Sequence, residues 1–276
     1  MPPADNSLAH FLRARREALQ PEDVGLPRGA GRRVPGLRRE EIADRAGISV
    51  DYYLRLEQGR DRQPSEQVVR ALSRALMLGP DASTYLTRIA NRSSIPLSED
   101  CSAVNDSIRQ LLERWSHTPA YVSDRNLDVL ASNAAARSLA PMYYRPGTNL
   151  LLAAFDASTS PHPRHEWETT TARLVSALRF HADPADPRLH EILGELSVRS
   201  RPFRRLWARH EVQRHPTGEG AYDIAPFGWV SLRWQVLDIP GTPGHFVTTF
   251  FADPGSPGAR ALDELVARAG AAVPTV

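Results

Sequence analysis

The chain has 276 residues, of which 41% are hydrophobic, so it is long enough for roughly two domains with packed cores. All 34 basic residues are arginine, and 32 acidic residues leave a net charge of only +2. The single cysteine, Cys101, excludes an intrachain disulfide and a cysteine-based zinc site. No apolar run reaches the ~18 residues of a membrane span, and the N-terminal residues lack a signal peptide's apolar core. We therefore expect a cytoplasmic protein without a membrane partner.

The N-terminal residues predict an amphipathic helix that is capped by Asn6 or Ser7. Its buried stripe is expected to consist of Leu8, Phe11, Leu12 and Leu19. The arginines expected outside that stripe are Arg13, Arg15 and Arg16. A segment rich in proline, glycine and arginine follows from 21 to 35. Two interpretations of its arginines are equally compatible with the sequence: contact with DNA phosphate or a minor groove, and a solvated loop. These arginines are Arg28, Arg32 and Arg33.

Residues 37–59 predict two short helices joined by a tight turn, as in a helix-turn-helix motif. Gly47 supplies the turn, because a glycine adopts a positive φ at little cost, and Ser49 is a good N-cap for the second helix. Gly59 is expected to end that helix. The residues expected to face inward are Ile42, Ala43, Ala46, Ile48, Tyr53 and Leu56. The outward surface of the second helix is the one that a recognition helix places in the DNA major groove.

The motif resembles the helix-turn-helix of the lambda-repressor-like (Xre) regulators in the order of its residues: Ile42-Ala43, then Gly47-Ile48-Ser49, then Leu56-Glu57-Gln58-Gly59. The resemblance implies DNA binding; a helical interaction module of the same shape is the alternative. Residues 28–62 hold nine arginines and six acidic residues, which suits phosphate contact, although a solvated helical face has a similar composition. The residues predicted to contact DNA are Arg38, Arg39, Ser49, Val50, Asp51, Tyr52, Arg55, Arg60 and Arg62.

Two further helical patterns follow the motif and complete the five helices expected of an all-α, lambda-repressor-like domain. The inward residues of these two helices are predicted to be Val68, Leu72, Ala75, Leu76, Tyr85, Leu86 and Ile89. Residues 91–103 are polar and contain one proline, which is typical of a linker. We therefore predict a helix-turn-helix domain at 1–92, a linker at 93–103 and a second domain at 104–276.

The second domain mixes helical and strand patterns. Two short β-like runs, at 120–123 and 127–131, flank Asp124-Arg125-Asn126, which is a turn signal. Ser132 or Asn133 is expected to cap the next helix, and 149–155 is an apolar stretch. Several amphipathic helices follow up to about residue 208, and then two strands at 228–239 and 245–252. Strands at both ends with helices between them predict an α+β sensor domain with a PAS-like outline, its sheet covered on one face.

The second domain also resembles the ligand-binding domain of the MmyB-like regulators, an actinobacterial branch of the repressor-like family. The matching segments are Thr118-Pro119-Ala120, Leu127 to Asn133, Asn149-Leu150-Leu151, Leu196 to Ser200 and Phe203 to Trp207. The resemblance implies that this domain binds a fatty-acid-like or other small apolar molecule. Family members commonly carry a His-Pro pair where this chain reads Asp223-Ile224-Ala225-Pro226, so the ligand of this chain is expected to differ if that histidine contacts ligand elsewhere.

The sequence shows no pattern of a catalytic or cofactor site. It contains no Gly-x-Ser-x-Gly elbow, P-loop or dinucleotide fingerprint, and no histidine pair has zinc-ligand spacing with a carboxylate. We therefore expect no enzyme activity, no cofactor and no metal. Five of the nine histidines fall in or near helices of the second domain and are more simply explained as structural residues; they are His165, His181, His190, His210 and His215.

Aromatic residues are the candidate ligand contacts, because all five tryptophans follow residue 100 and an aromatic-rich domain can line an apolar cavity as well as fill a core. The predicted ligand-binding residues are Trp115, Tyr121, Phe155, Trp207, His210, Trp234 and Phe250. Trp207 is favoured because it lies in the most family-like segment, and His210 one turn later is a possible polar anchor.

The sequence as a whole predicts a one-component transcription regulator. It would bind a palindromic double-stranded DNA operator as a homodimer and sense an apolar small molecule in its second domain. Two other classes remain open at this point: an enzyme with an appended DNA-binding head, and a protein-interaction module such as an antitoxin.

Overall fold

The computed structural model describes residues 6–27, 34, 36–61, 63–91, 104–156 and 164–271. The contacts divide the chain into two compact units. The first unit contains the described residues of Met1–Ile95 together with Asp183–Asp186 and Arg201–Gln213, and the second contains those of Pro96–Ala182, Pro187–Ser200 and Arg214–Val276. The predicted boundaries at 92 and 104 stay a prediction. Several sequence-based expectations lie outside the described residues: those for Arg28, Arg32, Arg33, Arg62, Cys101 and the linker at 93–103.

Five helices make up the N-terminal part of the first unit, as predicted, with a 3₁₀ turn at Pro21–Val24. They are α1 (Ser7–Ala18), α2 (Arg39–Ala46), α3 (Val50–Glu57), α4 (Glu66–Ala75) and α5 (Pro80–Asn91). Their amphipathic faces meet in one apolar core, in which Phe11, Leu12, Ile42, Tyr53 and Leu56 are completely buried. This core confirms the inward residues that the helical periodicity predicts for α1, α2 and α3.

Arg16 is the exception to the predicted stripe of α1. It was expected on the outer side of the helix with Arg13 and Arg15, but it is only 4% exposed. Burying a charged guanidinium carries a large desolvation cost, so it occurs only when the group is paired and hydrogen-bonded. Arg16 pairs with the buried carboxylate of Glu57 and donates from Nη1 to the carbonyl oxygen of Leu37 at 2.9 Å. The prediction for Arg16 is therefore wrong, because its partner lies 41 residues away in the sequence.

The second unit combines six helices and five strands among its described residues. The helices are α6 (Asp106–Arg114), α7 (Ala134–Leu139), α8 (Leu150–Phe155), α9 (Arg164–His181), α10 (Pro187–Arg199) and α12 (Pro257–Ala271). Between α10 and α12 the chain also forms α11 (Arg201–Ala208), which belongs to the first unit. The strands are β1 (Ala120–Ser123), β2 (Val129–Ser132), β3 (Thr217–Ile224), β4 (Gly228–Asp238) and β5 (Phe246–Phe251).

The five strands form one antiparallel sheet in the order β2-β1-β5-β4-β3. β1 therefore pairs with both β2 and β5, so strands from the two ends of the domain join in one sheet, as the PAS-like outline predicts. The β1–β2 turn is held by Asp124, whose Oδ1 accepts from the backbone N–H groups of Asn126 and Asp128 at 2.8 Å each. Such an Asx turn explains why the Asp124-Arg125-Asn126 signal located the turn correctly.

Helices lie against both faces of the sheet, whereas the sequence predicted one covered face. On one face, Leu112 of α6 clusters with Ala120 and Val122 of β1 and Val247 of β5. The intervening residues of these strands point to the opposite face, since side chains alternate along a strand. α9 contacts β3 and lies against that opposite face. The sequence did not predict two covered faces, because the short apolar stripe of α6 does not indicate which face of the sheet α6 covers.

The sequence analysis did not predict two elements. β3 was missed because it contains two glycines, a glutamate and an aspartate, which are all poor strand formers. α8 was recognised only as an apolar stretch, although Asn149 caps it by accepting from the N–H groups of Leu151 and Leu152 at 3.1 and 3.0 Å. None of the helices in the described part of the chain is both long and apolar enough to span a membrane.

Candidate DNA-binding surface and ligand cavity

The turn between α2 and α3 has the geometry that its sequence predicts. Gly47 ends α2 in the left-handed conformation with φ 66°. Ser49 caps α3, since its hydroxyl oxygen accepts from the Tyr52 N–H at 3.1 Å. Gly59 follows α3 with φ 66°. These three residues fix the length and entry angle of α3, so that its outward surface is defined by local backbone geometry.

The outward residues of α3 form the candidate recognition surface. Val50 is 39% exposed, and Asp51 and Arg55 are exposed, whereas Tyr52 is half-buried and contacts the core. The guanidinium of Arg55 lies 5.3 Å from the centre of the Tyr52 ring, a cation–π geometry that keeps this side chain over the helix surface. Ser49, Arg38 and Arg60 are also exposed. The predicted outward position is confirmed for Val50, Asp51 and Arg55 but only in part for Tyr52, and contact of these residues with DNA stays a prediction.

Arg39 has a structural partner besides any contact with DNA. Its Nε donates to Oε2 of Glu57 at 2.7 Å, and Glu57 itself is almost completely buried. The same carboxylate binds Arg16, so one acidic side chain at the end of α3 joins α1 and α2. Burial by itself would raise the pKa of Glu57, but the hydrogen bonds from Arg16 and Arg39 outweigh it and lower the pKa. Glu57 was not singled out as a buried charge from the sequence.

The second unit contains a cavity of about 380 Å³ beside the sheet. Its walls come from one face of β1, β4 and β5, from β3, from α9, and from the segment between α7 and α8. Every residue that lines it belongs to the second unit. The aromatic lining residues are Tyr121, Tyr143, Tyr144, Trp167, Tyr222, Trp229, Trp234, Phe246 and Phe250. An apolar cavity with this many rings is typical of a site for an apolar or aromatic small molecule.

Three tyrosines form a cluster of polar aromatic groups in the cavity. The rings of Tyr121 and Tyr144 stack with centroids 4.6 Å apart, and the hydroxyls of Tyr144 and Tyr222 lie 3.3 Å apart. Burial raises the pKa of Tyr121 to about 12, and it raises those of Tyr144 and Tyr222 as well. All three phenols are therefore neutral at physiological pH, so each can donate or accept a hydrogen bond without adding a charge.

The structure brings three of the predicted ligand-binding residues together and leaves four apart. Tyr121, Trp234 and Phe250 line the cavity, on β1, β4 and β5. Phe155 packs edge-on against Trp167, a lining residue, with ring centroids 5.7 Å apart. Trp115 packs against the apolar cluster that includes α6 and β1.

Trp207 and His210 do not line the cavity, because α11 and the residues after it belong to the first unit. The Trp207 ring stacks on the fully buried Phe203, and the His210 ring contacts that of His10 in α1 at 6.3 Å. The assignment of Trp207 and His210 as ligand contacts stays a prediction that this cavity does not support. The resemblance of the segment from Phe203 to Trp207 to the family is explained equally well by its packing in the first unit as by ligand binding.

The sequence analysis missed Tyr144, Tyr222 and Trp167 as cavity residues. Tyr144 lies between two short helices, where no periodicity marks a buried side, and Tyr222 lies on the unpredicted β3. Trp167 was counted among the five tryptophans that follow residue 100 but not among the predicted ligand contacts. In the structure its Nε1 donates to the carbonyl oxygen of Ala154 at 2.7 Å, which fixes the ring at the cavity wall. The tyrosine pair in positions 143 and 144 was the available signal.

Two of the five histidines make side-chain contacts within the second unit, and both also line the cavity, so a purely structural role for the histidines stays a prediction. The Nε2 atom of His215 lies 2.8 Å from the Ser176 hydroxyl, and the His181 ring contacts that of Phe246. Among the described residues, no group of three or more histidine, cysteine, aspartate or glutamate side chains has the arrangement of a metal site.

Comparison with known families assigns both parts of the chain. A helix-turn-helix domain model matches residues 7–84, and the MmyB-like transcription regulator ligand binding domain matches residues 104–265. A search of curated proteins found no match. The first match covers the motif whose geometry is described above, and the second covers the sheet and every residue that lines the cavity. Because this second match spans more than half of the sequence, the chain belongs to the MmyB-like transcription regulators, which join a DNA-binding domain to a ligand-binding domain.

Proposed function

We propose that this protein binds a palindromic operator as a homodimer and that an apolar, fatty-acid-like molecule in the cavity changes its affinity for that operator. The observation that supports the proposal most directly is the ring-lined cavity within the part of the chain that matches the family's ligand-binding domain. A ligand regulates a protein by binding more tightly to one of its conformations than to another, and the cavity is the site at which we expect such binding.

The DNA-binding half of the proposal is supported by the exposed residues of α3. A single helix-turn-helix reaches only a few base edges with residues such as Val50, Asp51 and Arg55. Two copies on half-sites one helical turn apart double these contacts, and two-fold symmetry in the protein is mirrored by a palindrome in the DNA. We therefore expect a dimer on the operator.

The ligand half of the proposal is supported by the size and chemistry of the cavity. Its volume of about 380 Å³ lies in the lower part of the usual range for small-molecule sites. The lining combines aliphatic and aromatic side chains with neutral phenols, which suits a long apolar body with few polar groups. Asp223 lines the cavity and belongs to the segment Asp223-Ile224-Ala225-Pro226, where family members commonly carry a His-Pro pair. If that histidine contacts ligand in the relatives, the ligand of this protein is expected to differ from theirs.

The test is a thermal-shift series with saturated fatty acids of graded chain length, combined with release of an operator selected from random duplex DNA. A ligand that binds only the native state raises the melting temperature by mass action. The test variant is Ala177→Phe, which places a ring in the cavity from α9. Its matched control is Ala172→Phe, on the same helix but not among the lining residues.

We expect the wild type and Ala172→Phe to show a shift that peaks at one chain length and a matching change in operator affinity. Ala177→Phe should fold and bind DNA but lose both responses. Absence of a shift with every fatty acid would reject the fatty-acid ligand, and an equal shift in Ala177→Phe would place ligand binding outside this cavity. Native mass spectrometry of the protein with and without operator checks the dimer.

A further inference from the structure

The charges at the cavity have one predominant sign. Two arginines and two histidines line it: Arg173, Arg214, His181 and His215. Of the described lining residues, Asp223 is the one carboxylate. In a wall made mainly of rings and aliphatic groups, two guanidinium groups give the site a net positive potential that attracts an anion.

Both arginines lie at the accessible part of the cavity: Arg214 is exposed and Arg173 is half-buried. Two apolar lining residues, Met142 and Trp229, are exposed there as well, at 58% and 43%. Tyr121, Tyr144 and Phe250 are 7%, 8% and 2% exposed and belong to the deep end. The positive charge of the cavity therefore lies toward solvent, whereas its deep end is lined by rings and neutral hydroxyl groups.

Arg173 is held in place by the protein. Its Nη1 donates to the carbonyl oxygen of Glu219 on β3 at 2.7 Å, which fixes one edge of the guanidinium against the sheet. Arg214 lies over the Phe180 ring, 5.6 Å from its centre, and His215 contacts Ser176. A guanidinium in a defined orientation loses little side-chain freedom on binding, and its planar fork matches the two oxygens of a carboxylate.

An amphipathic anion has one favourable orientation in such a site. A carboxylate in the deep end would lose its hydration among rings and neutral phenols, which is costly without a charged partner. At the accessible end it keeps part of its hydration and gains charge-assisted hydrogen bonds.

Building on the function proposed above, we propose that Arg173 binds the carboxylate of the ligand, with Arg214 adding positive charge, while the apolar body extends toward Tyr121, Tyr144 and Phe250. The site is thereby specific for a free acid over a neutral molecule of the same size. Arg173 was not among the ligand-binding residues that the sequence indicated.

The experiment compares one medium-chain fatty acid with its methyl ester and with the primary alcohol of the same chain length, by calorimetric titration at neutral pH. All three probes share the apolar body, so the ratio of their dissociation constants gives the contribution of the headgroup to the affinity. The variants are Arg173→Gln, which removes the charge, and Arg173→Lys, which keeps the charge without the fork. The control is Arg164→Gln, an exposed residue of the same helix whose side chain pairs with Glu168.

We expect the wild type and Arg164→Gln to bind the acid at least about tenfold more tightly than the ester or the alcohol, the size of effect typical of a charge-assisted hydrogen bond. Arg173→Gln should bind all three probes with similar affinity, and Arg173→Lys should keep part of the preference. Any loss of fold affects all three probes alike and leaves their ratio unchanged.

Equal binding of acid, ester and alcohol by the wild type would overturn the carboxylate subsite while leaving the apolar cavity in place. An unchanged preference in Arg173→Gln would remove Arg173 from the subsite. Failure of all three probes to bind the wild type would instead overturn the proposed function, and the subsite with it.

Discussion

At the scale of single residues, Glu57 shows how a buried charge is tolerated in the DNA-binding unit. Its side chain is 1% exposed and carries a carboxylate, yet two arginines from different helices hydrogen-bond to it. The desolvation of the carboxylate and of Arg16 is offset by these bonds, so the net stabilisation from the group is modest. Removing one partner is far more costly, because it leaves an uncompensated buried charge.

We expect Glu57→Gln to lower the free energy of unfolding by about 3–5 kcal/mol, since the buried guanidinium of Arg16 loses its counter-charge. Denaturant unfolding of both proteins measures the difference. The control is Glu66→Gln, which removes a carboxylate that pairs with Arg70 on the surface and is 73% exposed; it should change stability by less than about 1 kcal/mol. Equal effects of the two substitutions would show that the Arg16–Glu57 pair is not what holds the three helices together.

The same residue predicts a pH dependence. The pKa of folded Glu57 lies below its ordinary value of 4.5, so the folded state binds fewer protons at this site than the unfolded state does. Its stabilisation is therefore complete above pH 4.5 and is lost as the pH falls through the folded-state pKa. Unfolding curves measured downward from pH 6 should show a steeper loss of stability for the wild type than for Glu57→Gln, and parallel curves would contradict the lowered pKa.

Arg55 is the residue of α3 best suited to read a base. It is exposed, and its stacking on Tyr52 limits its conformations. We expect Arg55→Ala to weaken binding to the selected operator by about 1–3 kcal/mol, the usual value of a bidentate contact with guanine, and to leave stability nearly unchanged. Fluorescence anisotropy with the operator and with point-substituted operators measures both affinity and base preference. Arg70→Ala, on the exposed side of α4, is the control, and wild-type affinity in Arg55→Ala would remove this residue from recognition.

At the scale of elements, β3 and β4 show how one strand can shape the cavity through a neighbour. Gly218 of β3 pairs with Trp234 of β4, and a Cβ at position 218 would lie 2.2 Å from the Trp234 ring. The ring thus lies directly over the backbone of β3, which only a glycine permits. Because Trp234 lines the cavity, the glycine determines where one wall of the cavity lies.

We expect Gly218→Ala to displace the Trp234 ring, lower stability by about 1–3 kcal/mol and alter the preferred ligand chain length. The control is Gly194→Ala in α10, which does not line the cavity and where nothing lies within 4 Å of an added Cβ. Thermal-shift profiles against the graded fatty acids compare the two variants. If Gly218→Ala and Gly194→Ala gave the same profile as the wild type, Trp234 would not limit the cavity.

Asn133 is a second residue whose effect extends over several elements. Its Oδ1 accepts from the N–H groups of Ala120 and Ala136, and its Nδ2 donates to the carbonyl oxygens of Trp115 and Thr118. One buried side chain therefore caps α7 and also joins β1 to the segment after α6. The sequence indicated a cap at 132 or 133, but it gave no sign of the other three bonds.

At the scale of the whole molecule, one of the passages of the chain between the two units lies between Gln213 and Arg214. Val212 packs on the core of the first unit, and Arg214 and His215 line the cavity of the second. Because two residues of chain span at most ~7 Å, we expect that a displacement of Arg214 by ligand would act on the first unit through the backbone and so couple ligand binding to DNA binding.

We expect an insertion of Gly-Gly-Ser-Gly between Gln213 and Arg214 to preserve ligand binding and DNA binding but to reduce the effect of one on the other. Coupling between sites is commonly worth about 5–150-fold in affinity, and the insertion should bring that factor close to one. The control carries the same insertion between Pro254 and Gly255, in an exposed turn after β5. Operator titrations with and without fatty acid measure the factor, and unchanged coupling in the first variant would exclude this connection as the route.

The sequence by itself determined the features that depend on short-range geometry. Gly47 and Ser49 specify the turn and the cap of the helix-turn-helix within a few residues, and the helical periodicity of α1 to α5 identified most of their core. Asp124 and its neighbours likewise specify the β1–β2 turn. These features can be predicted from the sequence because backbone conformation, capping and amphipathicity depend on residues within one or two turns of chain.

Only the tertiary structure decided the features that depend on distant partners. Arg16 is buried because Glu57, 41 residues later, supplies a counter-charge, and β3 is a strand because Trp234 and the β4 backbone cover its glycines. Tyr144 and Tyr222, which are 78 residues apart in the sequence, meet in the cavity. Trp207, on α11, belongs to the first unit instead. Burial and pairing are set by whichever side chains the fold brings together, so the sequence indicated only part of the cavity wall, Tyr121, Trp234 and Phe250.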